Sequence, residues 1–318
     1  MRDVCVVGLG LIGGSVARAA RAAGREVWGA TASPADAEAA RGDGVEVSDL
    51  AAALDRAARS DALVVVAVPL PAVEEVLRAV PAGTRVTDVV SVKGPVADLV
   101  RRVAPGVRYV GGHPMAGTSA SGWAAGRADL FRDAAWVVAL DDDASPDLLL
   151  DVIALALDTG AHVVPTTSAE HDAAVARISH LPHLLAAVLA SVGADGGALA
   201  LSLAAGSFGD GTRVAGTRPE LVRAMCEGNR TALLDAVDDA LGRLGAARGS
   251  LASTGGLAKT IDAGHAARGS LDAIRSSTGT PFDLDLTAPD ALERLRALGR
   301  EGGRVTSLEG ATLRARTS

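Results

Sequence analysis

The chain has 318 residues, 48% of them hydrophobic and 22% charged, which is enough for two soluble domains with cores of their own. Aromatic residues are only 2%, so those cores are aliphatic. The net charge is −7 and no long Lys/Arg block occurs, which excludes the electrostatic footprint expected for binding nucleic acid or a membrane surface.

Cys5 and Cys226 stand alone in apolar patterns, a strand and a helix, which implies reduced thiols in a cytoplasmic protein rather than a disulfide framework. Asp3 and the glycines at 8, 10, 13 and 14 make the N-terminus unlike a signal peptide. No unbroken apolar run has the length of a membrane span, so no membrane partner is expected.

In chain order, Val4–Val7 reads as a strand, Leu11–Ala23 as a helix and Glu26–Ala30 as a second strand. Ala62–Val68 is a continuous apolar run of the kind that lies buried on both faces of a parallel sheet. Helices follow over Ala72–Val80, Val96–Val103 and Ser145–Asp158, with strands at Arg85–Val90, Arg108–Val110, Ala135–Leu140 and Ala161–Val164. This βαβα rhythm predicts an α/β fold with a Rossmann-type doubly wound sheet.

The rhythm stops near Pro165. Glu170–Ser179, Leu184–Val192, Gly197–Ala205, Pro219–Glu227 and Arg230–Arg248 all read as helices. The expected division is therefore 1–165 for a dinucleotide-binding domain and 166–318 for an all-helical substrate and dimerisation domain. Leu184–Val192 is apolar around much of its surface, and such a helix is buried, so a homodimer through the helical part is predicted. After residue 254, Lys259–Arg275 and Ala288–Arg300 look helical, and Arg304–Arg316 reads as a hairpin or as disordered.

Gly8-Leu9-Gly10-Leu11-Ile12-Gly13 follows the first strand and opens the first helix. G-x-G-x-x-G alone is a weak signal, but here it has the context of a dinucleotide site. Gly8 makes the turn, Gly10 lets a pyrophosphate approach, and Gly13 lets helix and strand pack. Leu11 and Ile12 begin the helix, whose first N–H groups face the phosphates, and Val68-Pro69 end the long apolar run beside them. The second strand ends at Ala30-Thr31-Ala32-Ser33, without the Asp or Glu that usually holds an NAD ribose. Thr31 and Ser33 can bond either ribose form, so NAD or NADP is expected, with a lean to NADP or dual use.

Gly111-Gly112-His113-Pro114-Met115-Ala116-Gly117 has neither the period of a helix nor the alternation of a strand. His113 thus has no ordinary structural task, and it is the candidate catalytic group. Thr118 and Ser119 follow it and are candidate substrate contacts. Ser91, in Asp88-Val89-Val90-Ser91-Val92-Lys93-Gly94, ends a strand where ligands of open α/β sheets bind; its alternative use is as a helix N-cap. His171, His180 and His183 fall within thirteen residues, and Pro182 interrupts the helix pattern there. A shared metal ion is the rival use of these histidines, but no carboxylate or thiol cluster completes a shell, and no metal is expected. Arg213, with Asp210 nearby, lies in the Gly/Ser/Thr-rich stretch 206–214 and suits bidentate binding of a carboxylate.

Together these segments resemble the prephenate/arogenate dehydrogenase family of tyrosine biosynthesis. The resemblance rests on GLGLIGGS at 8–15, SVKG at 91–94, GGHPMAG at 111–117, HDAAVARISHLPH at 171–183 and GDGTRVAG at 209–216, in the family's order. It covers about residues 2–250, and SLAAGSFGDGTRVAG with LVRAMCEGN looks like actinobacterial members, some of which prefer arogenate. It implies NAD(P)-dependent oxidative decarboxylation of prephenate or arogenate. It assigns His113 as the neutral acceptor for the ring hydroxyl, so activity falls at acid pH. Ser91 then contacts hydroxyl and cofactor, Arg213 a substrate carboxylate, Asp210 orients Arg213, and His171 and His183 lie near the substrate. The sequence departs from the family at Ser119, where Glu is common, and at Gly209, where Arg or Lys is common.

The first alternative is another two-domain dehydrogenase acting on a hydroxy acid, which would use a helix lysine; 168–250 contains none. The second is a metal-dependent hydrolase built on His171, His180 and His183. A cofactor sensor with a vestigial site is the third.

Overall fold

The structure is a computed structural model that describes residues 1–118, 120–142 and 144–318. Ser119, one of the expected substrate contacts, lies outside the described residues. The chain separates into two compact units, Met1–Asp172 with Thr280–Thr317, and Ala173–Gly279.

The first unit begins with β1 (Val4–Val7), α1 (Leu11–Ala22), β2 (Val27–Ala30), α2 (Pro34–Gly42), β3 (Glu46–Val47), α3 (Leu50–Ser60), β4 (Leu63–Val66), α4 (Leu70–Ala79), β5 (Arg85–Asp88), α5 (Gly94–Val103) and β6 (Arg108–Tyr109). The six strands form a parallel sheet in the order β3-β2-β1-β4-β5-β6, the order of a dinucleotide-binding fold. Every residue of β1 and β4 is buried, because helices cover both faces. The continuous apolar runs read from the sequence follow from that burial. The sequence reading does not include α2, α3 and β3: α2 is short and Ala-rich, β3 has two residues, and the buried face of α3 is mostly alanine, with Leu54 its one large side chain.

A second sheet starts with β7 (Gly112–Pro114), β8 (Ala135–Ala139), α6 (Pro146–Asp158) and β9 (His162–Thr166). The expectation put β8 and β9 into the doubly wound sheet. They belong instead to a mixed sheet in which β7 pairs antiparallel with β8, and β8 parallel with β9. A buried strand pattern fixes burial and not the choice of neighbour, hence the difference. The segment around His113, expected to have no regular structure, places Gly112–Pro114 in β7, with His113 opposite Val137. Three residues are too few for alternation to show.

Next come α7 (Ser168–Val175), a π turn (Ala176–His180), α8 (Leu181–Asp195), α9 (Gly197–Ser202), α10 (Gly206–Thr212), a 3-10 turn (Arg213–Gly216), α11 (Pro219–Gly228), α12 (Arg230–Ser253) and α13 (Ala258–Ser276). Pro182 does not break the helical run as expected. The π turn just before it widens the backbone and absorbs the missing N–H and the ring. Residues 206–212, which read as a loop, form α10. Ser168–Asp195 is long and apolar enough to cross a membrane by length and composition, a run the sequence reading passed over because Glu170, Asp172 and Arg177 interrupt it. In the helical unit α8 buries only Ala186, and α12 only Leu233 and Ala236. Leu185, Val188, Leu189 and Val192 of α8 remain exposed.

The end of the chain differs from the expected helical domain 166–318. Residues 280–317 return to the first unit as β10 (Pro281–Asp285), α14 (Ala291–Arg300), β11 (Arg304–Glu309) and β12 (Thr312–Arg316). They complete the second sheet in the order β10-β12-β11-β9-β8-β7. Leu284, Leu295, Leu298, Val305, Leu313 and Ala315 share one core cluster with Trp136, Val138 and Val163. Burial of these aliphatic side chains, at about 1.5–3 kcal/mol for each large one, holds the tail on the sheet.

Candidate active site

The glycine loop lies at the carboxyl end of β1. Gly8 has φ +99°, and a Cβ there would stand 2.5 Å from the Ala67 carbonyl oxygen beyond β4. A Cβ on Gly13 would stand 1.8 Å from the Gly8 carbonyl oxygen. Protein packing therefore demands both glycines. Gly10 is different, because a Cβ there would meet nothing within 4 Å. It is also the N-cap of α1 and makes no side-chain cap bond. A glycine with no packing reason, beside open helix N–H groups, fits a phosphate that must reach the backbone. Leu11, Ile12 and Val68 are half-buried around this turn, and Pro69 is exposed.

Thr31 and Ser33 stand at the tip of β2. Thr31 Oγ1 accepts from the Ser33 N–H at 3.3 Å, and Ser33 Oγ accepts from the Asp36 N–H at 3.2 Å as the N-cap of α2. Arg18 and Arg41 already have partners: Arg18 binds Asp43 and the Trp123 carbonyl, and Arg41 binds the Val47 carbonyl.

His113 on β7 reaches this same carboxyl edge of the first sheet. A Cβ on Gly112 would lie 2.8 Å from the Asp88 carbonyl oxygen at the end of β5, so only glycine lets β7 come that close. His113 Nδ1 is 2.9 Å from His171 Nε2, and the rings meet edge to face at 5.1 Å. His171 Nδ1 is 2.7 Å from Asp172 Oδ1. An ionised Asp172 can only accept, which puts the His171 proton on Nδ1 and its lone pair on Nε2. Nε2 then accepts from His113 Nδ1–H, and the lone pair of His113 falls on Nε2. The line of three groups thus favours one tautomer of His113, with the proton on Nδ1 and the lone pair on Nε2.

Asp172 is held by more than His171. Its carboxylate accepts from the Lys93 and Gly94 N–H groups at 2.8 Å each, closing the N-terminus of α5. Burial pushes its pKa up, but His171 and the two N–H groups outweigh that and hold it below the ordinary carboxylate range. Asp172 thus performs the capping task open to Ser91. Ser91 is half-buried two residues before the cap of α5, and its hydroxyl is not that cap.

Lys93 is fully buried and was not singled out from the sequence. Its ammonium donates to Asp88 and, at 2.6 Å, to the Gly112 carbonyl beside His113. Burial lowers its pKa, against the pull of Asp88. Tyr109 donates to the other Asp88 oxygen at 2.6 Å, and burial together with Asp88 drives the phenol well above its usual value. A lysine in a Ser-Val-Lys-Gly turn after a strand was the available signal.

The three clustered histidines take separate partners. His171 joins His113 and Asp172, His180 bonds Asn229 Nδ2 at 3.1 Å, and His183 Nδ1 donates to the Ser179 carbonyl at 2.8 Å. Among the described residues, no group of three His, Cys, Asp or Glu side chains could hold a metal. Arg213 and Asp210 are exposed in the helical unit, where Arg213 opens the 3-10 turn. Thr118 is exposed after β7 and its hydroxyl accepts from the Ala120 N–H at 3.2 Å.

Residues 16–165 match the family model described as prephenate dehydrogenase, nucleotide-binding domain, and residues 167–254 match prephenate dehydrogenase, dimerization domain. The chain belongs to the prephenate dehydrogenase family. A prephenate dehydrogenase of Bacillus subtilis is 34% identical over 251 residues, covering 75% of this chain and 67% of that protein. A crystal structure of a Corynebacterium glutamicum protein, described as a candidate prephenate dehydrogenase, superposes with a TM-score of 0.90 at 46% identity, covering 95% of this chain and 98% of that one. The arogenate dehydrogenase of Synechocystis gives 0.71 at 31% identity, with 85% and 99% covered. As a member of the prephenate dehydrogenase family the chain is an NAD(P)-dependent oxidoreductase, and its activity is an oxidative decarboxylation in tyrosine biosynthesis. The nucleotide-domain match begins at residue 16, so the glycine loop is understood from its own geometry.

Proposed function

We propose that His113 is the catalytic base for oxidation of a 4-hydroxycyclohexadiene substrate, prephenate or arogenate. The observation that carries this reading is the line His113–His171–Asp172, which sets the basic lone pair on His113 Nε2. His113 Nε2 accepts the hydrogen bond of the ring hydroxyl and takes its proton as hydride leaves the carbon that bears it. The ring carboxylate departs as carbon dioxide, the ring becomes aromatic, and the proton returns to the phenolic oxygen. The loop of Gly8, Gly10, Leu11, Ile12 and Gly13 would hold the pyrophosphate of NAD or NADP, and the bound cofactor would supply the hydride acceptor.

Ser91 orients the hydroxyl. Arg213 binds a carboxylate of the side chain, with Asp210, His183 and Thr118 as further substrate contacts. The neutral tip of β2 supports a lean to NADP or dual use: Thr31 and Ser33 suit either ribose, and no carboxylate among them repels a 2′-phosphate. Because Arg18 and Arg41 are already engaged, dual use is the better supported form. The exposed apolar face of α8, within the dimerization-domain match, supports a homodimer through the helical unit in the cytoplasm.

The test is a spectrophotometric assay of reduced cofactor with prephenate and arogenate crossed against NAD and NADP. Turnover of either substrate supports the reading. Absence of turnover with all four pairs overturns it.

A further inference from the structure

Residues 255–318 lie beyond both family matches, yet 280–317 are built into the unit that carries His113. Helix α14 contacts the strand and turn that lead into α7. It buries Ala291, Leu295 and Leu298, and a Cβ on Gly299 would stand 1.6 Å from the Pro165 carbonyl oxygen, so the helix rests directly on the end of β9. The chain leaves β9 at Thr166 and turns at once into α7, which carries His171 and Asp172.

That turn is gripped from two sides. Asp141 accepts from the Ser168 N–H at 2.9 Å and from its hydroxyl at 2.5 Å. Arg296 of α14 donates to the Leu140 carbonyl and to Asp142, both at 2.8 Å, bracing the segment around Asp141. On the other side Glu170 closes the turn, accepting from the Thr167 N–H at 3.1 Å and from the Thr167 and Thr166 hydroxyls. Arg300, the last residue of α14, donates to Glu170 Oε1 at 2.7 Å. Glu170 adjoins His171, whose bond to His113 spans 2.9 Å and tolerates little displacement.

We propose that α14 is a positioning element for the reaction, with Arg300 acting through Glu170 to hold His171 in line with His113. The proposal rests on the reading of His113 as the base. Arg300 is a positioning residue whose effect passes through Glu170 and the first turn of α7.

The experiment compares Arg300→Met, Arg300→Lys, Glu170→Gln and the double variant Arg300→Met/Glu170→Gln in the full chain. An exposed charge pair limits the expected effect to a loss of about five-fold in kcat. Arg300→Met and Glu170→Gln each lose that factor with KM for cofactor unchanged, the double variant loses no more than either, and Arg300→Lys recovers most of it. Arg268→Ala, which breaks a comparable exposed pair with Asp272 on α13, leaves kcat unchanged. Wild-type kcat in both single variants, additive losses, or a fall in thermal stability without a fall in kcat overturns the proposal. His113→Asn, assayed in parallel, separates the two ideas: if it is inactive while Arg300→Met is normal, only the role of α14 fails, and if it is fully active, the base itself is misassigned.

Discussion

His113 Nδ1 and His171 Nε2 stand 2.9 Å apart although 58 residues separate them, and this contact orients a half-buried imidazole and favours one tautomer of it. Replacing His113 with Asn removes the acceptor while keeping a polar side chain of similar reach. The expected outcome is a loss of at least ~10²-fold in kcat, with the fold and cofactor binding retained. Steady-state kinetics beside a cofactor titration checks this, and full activity in the variant contradicts the assignment.

His171 gives a finer test. His171→Leu removes the imidazole that accepts from His113 Nδ1–H, so the tautomer with its lone pair on Nε2 loses that support. His171→Gln retains an amide oxygen that can accept. The leucine variant should fall about ten-fold or more in kcat and the glutamine variant should recover part of that loss. Equal activity in the two shows that the tautomer is not set through this contact.

Gly10 and Gly13 separate cofactor binding from folding. Gly13→Ala drives a methyl group into the Gly8 carbonyl and should destabilise the protein, lowering the urea midpoint. Gly10→Ala meets no protein atom and should keep the wild-type midpoint while weakening NAD or NADP binding at least ten-fold. Cofactor titration by fluorescence and urea melts on both variants decide the matter. Normal cofactor affinity in Gly10→Ala removes that residue from the site.

How much of this was legible before the structure depended on the range of each interaction. The glycine loop is a local device, a strand, a turn and a helix in sequence, and it reads directly from the residues. His113 was legible by exclusion, because its neighbours offered no period for it to serve. The role of Asp172 is not legible from its neighbours, because its two N–H partners on Lys93 and Gly94 are 79 and 78 residues away. Lys93 was hidden for the same reason: its worth comes from Asp88 and Gly112 at full burial. The tail is harder because α13 and α14 are true helices, whereas β10 is only five residues long, and the alternation of Phe282 and Leu284 with Asp283 and Asp285 is too short to stand out between them. Sheet membership depends on partners that composition does not name.

Lys93 should matter for stability as well as for placement of His113. Lys93→Met leaves Asp88 buried without its ammonium partner and leaves the Gly112 carbonyl short of a donor. Stranding one member of a buried pair costs about 3–5 kcal/mol. Chemical denaturation should show a loss of that order, and Lys93→Met/Asp88→Asn should restore part of it. A wild-type midpoint in Lys93→Met means that water or another donor replaces the ammonium.

Glu170 ties acid stability to the turn that carries His171. Arg300 first, then the Thr167 and Thr166 donors, lower its pKa from 4.5 to about 2 against a smaller opposing effect of burial. A carboxylate depressed in the folded state contributes stability that is present above its unfolded pKa and lost as pH falls through the folded value. The contribution should therefore be complete above about pH 5 and disappear between there and about pH 2. Glu170 is exposed enough for solvent and salt to screen the pair, so the effect should be small and should shrink further at high salt. Melting temperatures measured from pH 6 to pH 2 should fall less steeply in Arg300→Met than in the unaltered protein, with the two curves closest at the acid end. Parallel curves across that range show that Arg300 does not set the charge state of Glu170.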